Sequence, residues 1–203
     1  MKGAGVLGLA ALAAVAAWLW KREADVQDLA NKLIDTLPSR LGQWGVQLGR
    51  AANLTSPASL STMKWALFVA AIMDRESGGG IYLHPRGPAG RGDFQDKGDG
   101  RGVVGRGLGL MQLDIGAHPD LEAQPEKWQA PSWNIEQGAR ELRGLYTQLP
   151  AEMDQAEKFQ RTADGYNAGP RALRHPDPDS ITTGKNYGSD VVARAAAFEE
   201  ALA

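Results

Sequence analysis

Apolar residues recur at helical spacing along most of this chain. Val26, Leu29, Leu33, Ile34 and Leu37 form a stripe that predicts an amphipathic helix over 25–37. Pro38 ends or kinks it. Residues 39–54 are punctuated by glycine and read as a second, weaker helix. Every position from 65 to 73 is apolar, which predicts a helix buried on all faces. That run is too short, and too flanked by polar residues, to span a membrane. Over 132–149, Ile135, Ala139, Leu142 and Leu145 share one face, and Ser132 is placed to cap the helix. Further helices are predicted through 159–169 and over the Ala-rich 186–203. Residues 108–115 read as a short helix, and strand-like runs are confined to 80–83 and 102–105. The pattern defines a mostly α fold (α+β at most) with a small β-hairpin, and without internal repeats.

Two stretches break this pattern. Residues 3–20 are uncharged throughout and mostly Ala, Gly and Leu. At about 1.5 Å per residue they are just long enough to cross a bilayer core. Lys2 precedes the run, Lys21 and Arg22 follow it, and Trp18 and Trp20 sit at its far end, where interfacial indoles are favoured. The expected organisation is a transmembrane anchor or signal-anchor over 1–22, an amphipathic stalk or packing segment over 23–60, and a catalytic domain over 61–203. A cleaved signal peptide is the competing reading, but it lacks a convincing small-x-small site. The other break is 78–107, crowded with Gly, Pro and charge. Long loops of this kind are functional or disordered.

Composition narrows the function classes. Of 203 residues, 43% are hydrophobic and 23% charged, as in ordinary globular proteins. The net charge is −2 and the pI about 5.9, which argues against broad nucleic-acid binding. The absence of cysteine removes disulfides, thiolate metal sites and a cysteine nucleophile. His84, His118 and His175 are widely spaced, so no metal site is expected. The run GRGVVG at 100–105 matches a dinucleotide-binding glycine pattern, but no apolar strand precedes it. DFQDKGDG at 93–100 lacks the spacing of an EF-hand loop.

The remaining candidate chemistry is Glu76. It ends the buried helix and is followed by Ser77 and three glycines. A carboxyl walled by Trp, Phe, Ile and Met beside a helix C-terminus tends to stay protonated. A protonated carboxyl is what a glycosidase uses to protonate its leaving group. The glycines allow a sharp turn and leave room for a bulky substrate. An exposed helix end with a glycine cap is the plain alternative.

Three segments decide between these readings. RESGG (75–79), GLGLMQLD (107–114) and YNAG (166–169), in this order, resemble the lysozyme-like superfamily of goose-type lysozymes and soluble lytic transglycosylases. The goose-type branch is matched further by His118 and by TT…Y…DVVARA over 182–195. The resemblance covers about 61–203 and implies the α-rich lysozyme fold. It implies Glu76 as general acid and Asp114 as a carboxylate that positions or activates water. A second such aspartate is matched by Asp99 only with an insertion of about four residues; Asp93 and Asp96 are weaker stand-ins. It implies Ser77, Gln112, His118, Tyr166, Asn167 and Tyr187 as substrate-binding residues, and Met111 is read as core.

The resemblance further implies peptidoglycan glycan strands as the partner, with no cofactor and no metal. The expected reaction is cleavage of the β-1,4 bond between N-acetylmuramic acid and N-acetylglucosamine. Water activated by Asp114 or Asp99 would give a reducing sugar. Attack by the muramyl 6-hydroxyl would give the 1,6-anhydro product of a lytic transglycosylase. A non-catalytic wall-binding or structural protein is the alternative of another class. Residues 3–20 would hold the chain in a lipid bilayer, a bacterial inner membrane or a viral membrane or virion, with the catalytic domain on the wall side. A phage endolysin or virion-associated enzyme fits that arrangement, and a bacterial wall-remodelling enzyme is the other candidate.

Overall fold

The computed structural model describes residues 4–92 and 106–203, with the side chains of 4–14 and 16–20 outside the described set. Eight α-helices order the described chain: α1 (Ala4–Thr36), α2 (Ser39–Gly42), α3 (Gly45–Thr55), α4 (Thr62–Ser77), α5 (Pro125–Trp128), α6 (Pro131–Tyr146), α7 (Gln155–Ala168) and α8 (Tyr187–Glu200). One two-stranded antiparallel hairpin joins them, β1 (Gly107–Leu108) and β2 (Leu113–Asp114), with Leu108 opposite Leu113.

Helix α4 is the axis of the core. Ser61 caps its start by accepting from the Lys64 amide at 3.2 Å. From Trp65 to Met73 no residue is more than 2% exposed, as the uninterrupted apolar run predicts. Phe68 stacks on Phe159 of α7 with ring centroids 4.3 Å apart, and Trp65 meets Tyr146 of α6 edge-on at 5.8 Å. The Trp65 indole donates to Thr55 Oγ1 at 2.9 Å, so the ring's one polar atom is satisfied within the core.

The segment before α4 shares this core. Leu29, Leu33, Leu37, Leu41 and Leu48 are buried in one cluster with Trp65 and Phe68. Helices α1 and α3 approach closely because Gly45 and Gly49 face Ala30; a Cβ at Gly45 would lie 3.0 Å from the Ala30 carbonyl oxygen. Ile34, expected on the buried stripe, is instead 45% exposed, because the α1 surface that faces the core centres on Leu29, Leu33 and Leu37. Helix α1 runs unbroken from the apolar N-terminal segment into this packing face, and Pro38 stands just beyond its end. Among the described residues no helix is long and apolar enough to cross a membrane, and the side chains of the expected anchor lie outside that set.

Three local expectations are corrected. Residues 108–115 are the hairpin rather than a helix: Gly109 (φ 69°) and Gln112 (φ 54°) take left-handed conformations that a helix excludes. Residues 80–83 form a turn rather than a strand, since Gly80 has φ 100° and the Leu83 amide bonds back to the Gly80 carbonyl. Ser132 does not cap α6; Pro131 opens it at the first helical position, after Ala130. The run 102–105 lies outside the described residues. On either side of that gap, the Gly92 amide donates to the Gly107 carbonyl at 3.1 Å.

One buried charge ties the elements together. Asp74, 3% exposed, accepts from Arg40 of α2 (Nε 2.9 Å, Nη2 3.2 Å) and from Arg194 of α8 (Nη1 2.5 Å). Removing one member of such a cluster leaves buried charge unpaired. Asp74→Asn is expected to cost about 3 kcal/mol and to lower Tm by roughly 6–12 °C. Thermal unfolding followed by circular dichroism measures it, and an unchanged Tm would show that the cluster is dispensable.

Candidate active site

Glu76 sits in the last turn of α4, half-buried, one residue before the helix closes. Gly78 takes the left-handed cap conformation (φ 57°), and its amide donates to the Asp74 carbonyl. The three glycines are required by packing rather than by substrate access. A Cβ at Gly78 would lie 2.6 Å from the Tyr82 ring, and one at Gly79 would lie 2.3 Å from the Arg40 carbonyl oxygen.

Ser77 is corrected as well. It is fully buried, donates to the Leu110 carbonyl at 2.7 Å and accepts from the Gly80 amide at 3.2 Å. It fastens the helix end to the hairpin and presents nothing to a ligand. Tyr187, at the first turn of α8, is 2% exposed and donates its hydroxyl to Glu76 Oε1. Burial, then the charge of Glu76, holds the Tyr187 hydroxyl well above its ordinary pKa, so it remains a donor. The Arg75 guanidinium lies over the same ring, 5.6 Å from its centroid.

The hairpin turn supplies the next wall. Asn134 of α6, fully buried, donates to the Leu108 carbonyl (3.0 Å) and accepts from the Met111 amide (2.8 Å). Met111 is fully buried against Gly138, where a Cβ would meet its side chain at 2.8 Å; it is core, as expected. Gln112 is 9% exposed and donates to the Gly109 carbonyl at 2.7 Å, while its Oε1 occupies the space that side chains at Gly92 and Gly107 would take. Tyr166, near the end of α7, donates to the Met111 carbonyl at 2.7 Å.

Gln112, Asp114, Tyr166 and Asn167 surround one cleft of about 510 Å³, together with Glu141 and Thr183. Asn167 accepts from the Thr183 amide at 2.9 Å. Burial, then the charges of Glu141 and Glu76, raise the Tyr166 pKa well above its usual value, so both carboxylates act on this one hydroxyl. Asp114 is exposed. Its Oδ1 accepts from the Gly116 amide at 2.8 Å and from Arg106 Nε at 3.2 Å. His118 pairs with Glu141, Nε2 to Oε1 at 2.8 Å. Asp99, with Asp93 and Asp96, lies outside the described residues. Among the described residues there is no group of three or more His, Asp or Glu that could hold a metal ion.

Three polar features in and around the site escaped the sequence reading. Glu141 is the second carboxylate of the cleft; burial raises its pKa, partly offset by His118 and by a bond from Gln137. Its only sequence signal is a position flanking the apolar stripe of α6. Asn134 looks like any polar helix residue until its two backbone partners are seen. The third is a carboxyl pair behind Tyr187. Asp164 and Asp179 both accept from the Gly188 amide at 2.8 Å, and Asp164 Oδ2 is buried without a donor aimed at it. A proton on Asp164, donated toward Asp179, resolves that conflict. Burial and the neighbouring Asp179 push Asp164 up to about 7. Burial also acts on Asp179, but bonds from Ser189, Asp164 and Gly188 outweigh it and hold its pKa below the ordinary value.

Over 136 residues the chain is 30% identical to lysozyme g of Casuarius casuarius, covering 65% of this chain and 63% of that one. Over 134 residues it is 30% identical to lysozyme g of Cyprinus carpio, covering 64% and 62%. The chain thus spans less than two thirds of the length of these curated relatives. No family model matches the sequence. The mostly helical architecture with one small hairpin fits a lysozyme-like fold, and the similarity to these lysozymes supports that at a distant level.

The carboxyl pair carries a pH prediction. Asp164 has a folded pKa of about 7, against about 3.9 unfolded. The native state therefore binds the extra proton in this window, and stability falls as pH rises from about 4 to 7. Asp164→Asn mimics the protonated form. Its stability relative to the parent is expected to rise by roughly 1 kcal/mol per pH unit between pH 5 and 7, measured by urea unfolding at each pH. Parallel pH dependences in the two proteins would show that Asp164 carries no extra proton.

Proposed function

We propose that this protein is a peptidoglycan-cleaving glycosidase with Glu76 as its general acid. The observation that carries the reading is the placement of Glu76. It ends the helix whose stretch 65–74 is buried, is itself partly open to solvent, and accepts a hydrogen bond from Tyr187. The similarity to lysozyme g proteins supports the same assignment. In this reading a glycan strand lies along the cleft lined by Gln112, Tyr166 and Asn167. Glu76 gives its proton to the glycosidic oxygen between N-acetylmuramic acid and N-acetylglucosamine. Tyr187 fixes the orientation of the carboxyl, and Ser77 holds the helix end against the hairpin.

The fate of the sugar cation then divides two products. Hydrolysis needs a base for water, and Asp114 and Asp99 are the candidates from the sequence, Asp99 lying outside the described residues. The Asp114 carboxylate already holds Arg106 and the Gly116 amide, which favours a second reading. In that reading Glu76 takes back the proton of the muramyl 6-hydroxyl, and a 1,6-anhydro product forms. Mass spectrometry of the released muropeptides separates the two, since the anhydro species is lighter by one water, about 18 Da.

The apolar N-terminal part of α1 serves, in this proposal, as a bilayer anchor that holds the catalytic region on the wall side. A wall-cutting enzyme of a phage, as endolysin or virion component, suits such a tether. A periplasm-dependent reporter fused at the C-terminus is expected to be active; activity of a cytoplasm-dependent reporter alone would refute this orientation.

Glu76→Gln is expected to reduce release of soluble muropeptides from purified peptidoglycan by at least about 10³-fold while leaving Tm near that of the parent. Comparable lysis by the variant would falsify the catalytic assignment. Tyr187→Phe, which keeps the ring and removes the donor, is expected to lower kcat about tenfold with KM little changed.

A further inference from the structure

Helix α6 places Glu141 where the fold gains little from a carboxylate. The side chain is 30% exposed, and burial disfavours its charged form. Its compensation is one contact with His118, itself 27% exposed, and one weak bond from Gln137 Nε2 at 3.3 Å. Partly exposed ion pairs of this kind contribute little, and apolar replacements are often as stable or more so. Both compensating contacts fall on the same oxygen, Oε1. Among the described residues no donor is aimed at Oε2. Glu141 lines the cleft beside Gln112, Asp114 and Asn167, and its charge reaches Tyr166 together with that of Glu76. A carboxylate fixed through one oxygen, on a residue that lines a polar cleft, is an acceptor in search of donors.

We propose that Glu141 is a substrate-binding residue of the cleft, accepting hydrogen bonds from a hydroxyl or the acetamido N–H of a hexosamine bound there. His118 is a positioning residue. It holds Oε1 and thereby turns Oε2 toward the ligand. The assignment rests on the proposed glycosidase function and adds a recognition element to it. Glu141 is separate in role from Glu76: it contributes to holding the strand, not to breaking the bond. Bonds from ligand donors to a charged acceptor are the stronger ones, so a single such contact has a measurable share of affinity.

The test is glycan binding by the full-length chain in the inactive Glu76→Gln background, titrated by calorimetry with N-acetylglucosamine hexamer and with solubilised peptidoglycan strands. Glu141→Gln, nearly isosteric, turns the open acceptor into a donor. It is expected to weaken binding about tenfold or more while Tm stays within a few degrees. Glu141→Leu is expected to lose binding similarly and to keep or raise Tm. In the active background, Glu141→Gln should raise KM and leave kcat within about twofold. Unchanged affinity in the Gln variant overturns the proposal. So does a fall in kcat at unchanged KM, or loss of binding that tracks loss of Tm in both variants. If the Glu76→Gln parent binds neither glycan, the glycosidase reading itself fails, and the role of Glu141 falls with it.

Discussion

Asp74 is the constraint on which the rest of this structure depends. It is a buried carboxylate held by Arg40 from the segment before α3 and by Arg194 from α8. Three parts of the chain far apart in sequence are thereby fixed at one point, two residues before Glu76. Arg194 also bonds Asp190 at 2.7 Å, and Arg75 lies 3.4 Å from the same carboxylate, so the first two turns of α8 are drawn onto the end of α4. This sets Tyr187 against Glu76. The carboxylate that positions the elements and the carboxyl proposed as general acid therefore sit on one helical turn, with opposite relations to solvent. Asp74 is sealed and paired, and Glu76 is partly open.

Much of the fold was legible as periodicity. The uninterrupted apolar run of α4, the stripe of α6 and the Ala-rich α8 each fixed an element type, because burial on a helix leaves a strong spacing signal. What was not legible arose from single polar side chains that act across the fold. The segment carrying Met111 and Gln112 has an apolar pattern compatible with a helix. It becomes a hairpin because Asn134 takes a carbonyl on one side of the turn and an amide on the other. No local pattern encodes that. Ile34 failed for a related reason: a stripe wide enough for five residues packs only its centre.

The site divides in the same way. Tyr166, Tyr187, Gln112 and Asn167 were reached through resemblance of short motifs, and the structure brings the first two within the influence of Glu76. Ser77 belongs to the same motif but faces inward, since its hydroxyl has two backbone carbonyls and an amide to serve. The glycine triplet was legible as a turn, but its packing partners were not. Its bareness accommodates Tyr82 and the Arg40 carbonyl, so that α4 can end tightly against the segment that precedes α3. Glu141 was invisible because a carboxylate on a helix flank is most often solvated; only its neighbours make it part of a cleft.

The bond between the Gly92 amide and the Gly107 carbonyl has a consequence for how such a protein can change over generations. That bond holds the two glycines side by side, next to the bridges from Arg91 to His84 and to Leu108 of β1. Both glycines face Gln112, whose Oε1 lies where a Cβ at either position would go. A side chain gained at position 92 or 107 would therefore have to displace Gln112, and with it one wall of the cleft. The glycine pair is thus a place where this architecture resists substitution.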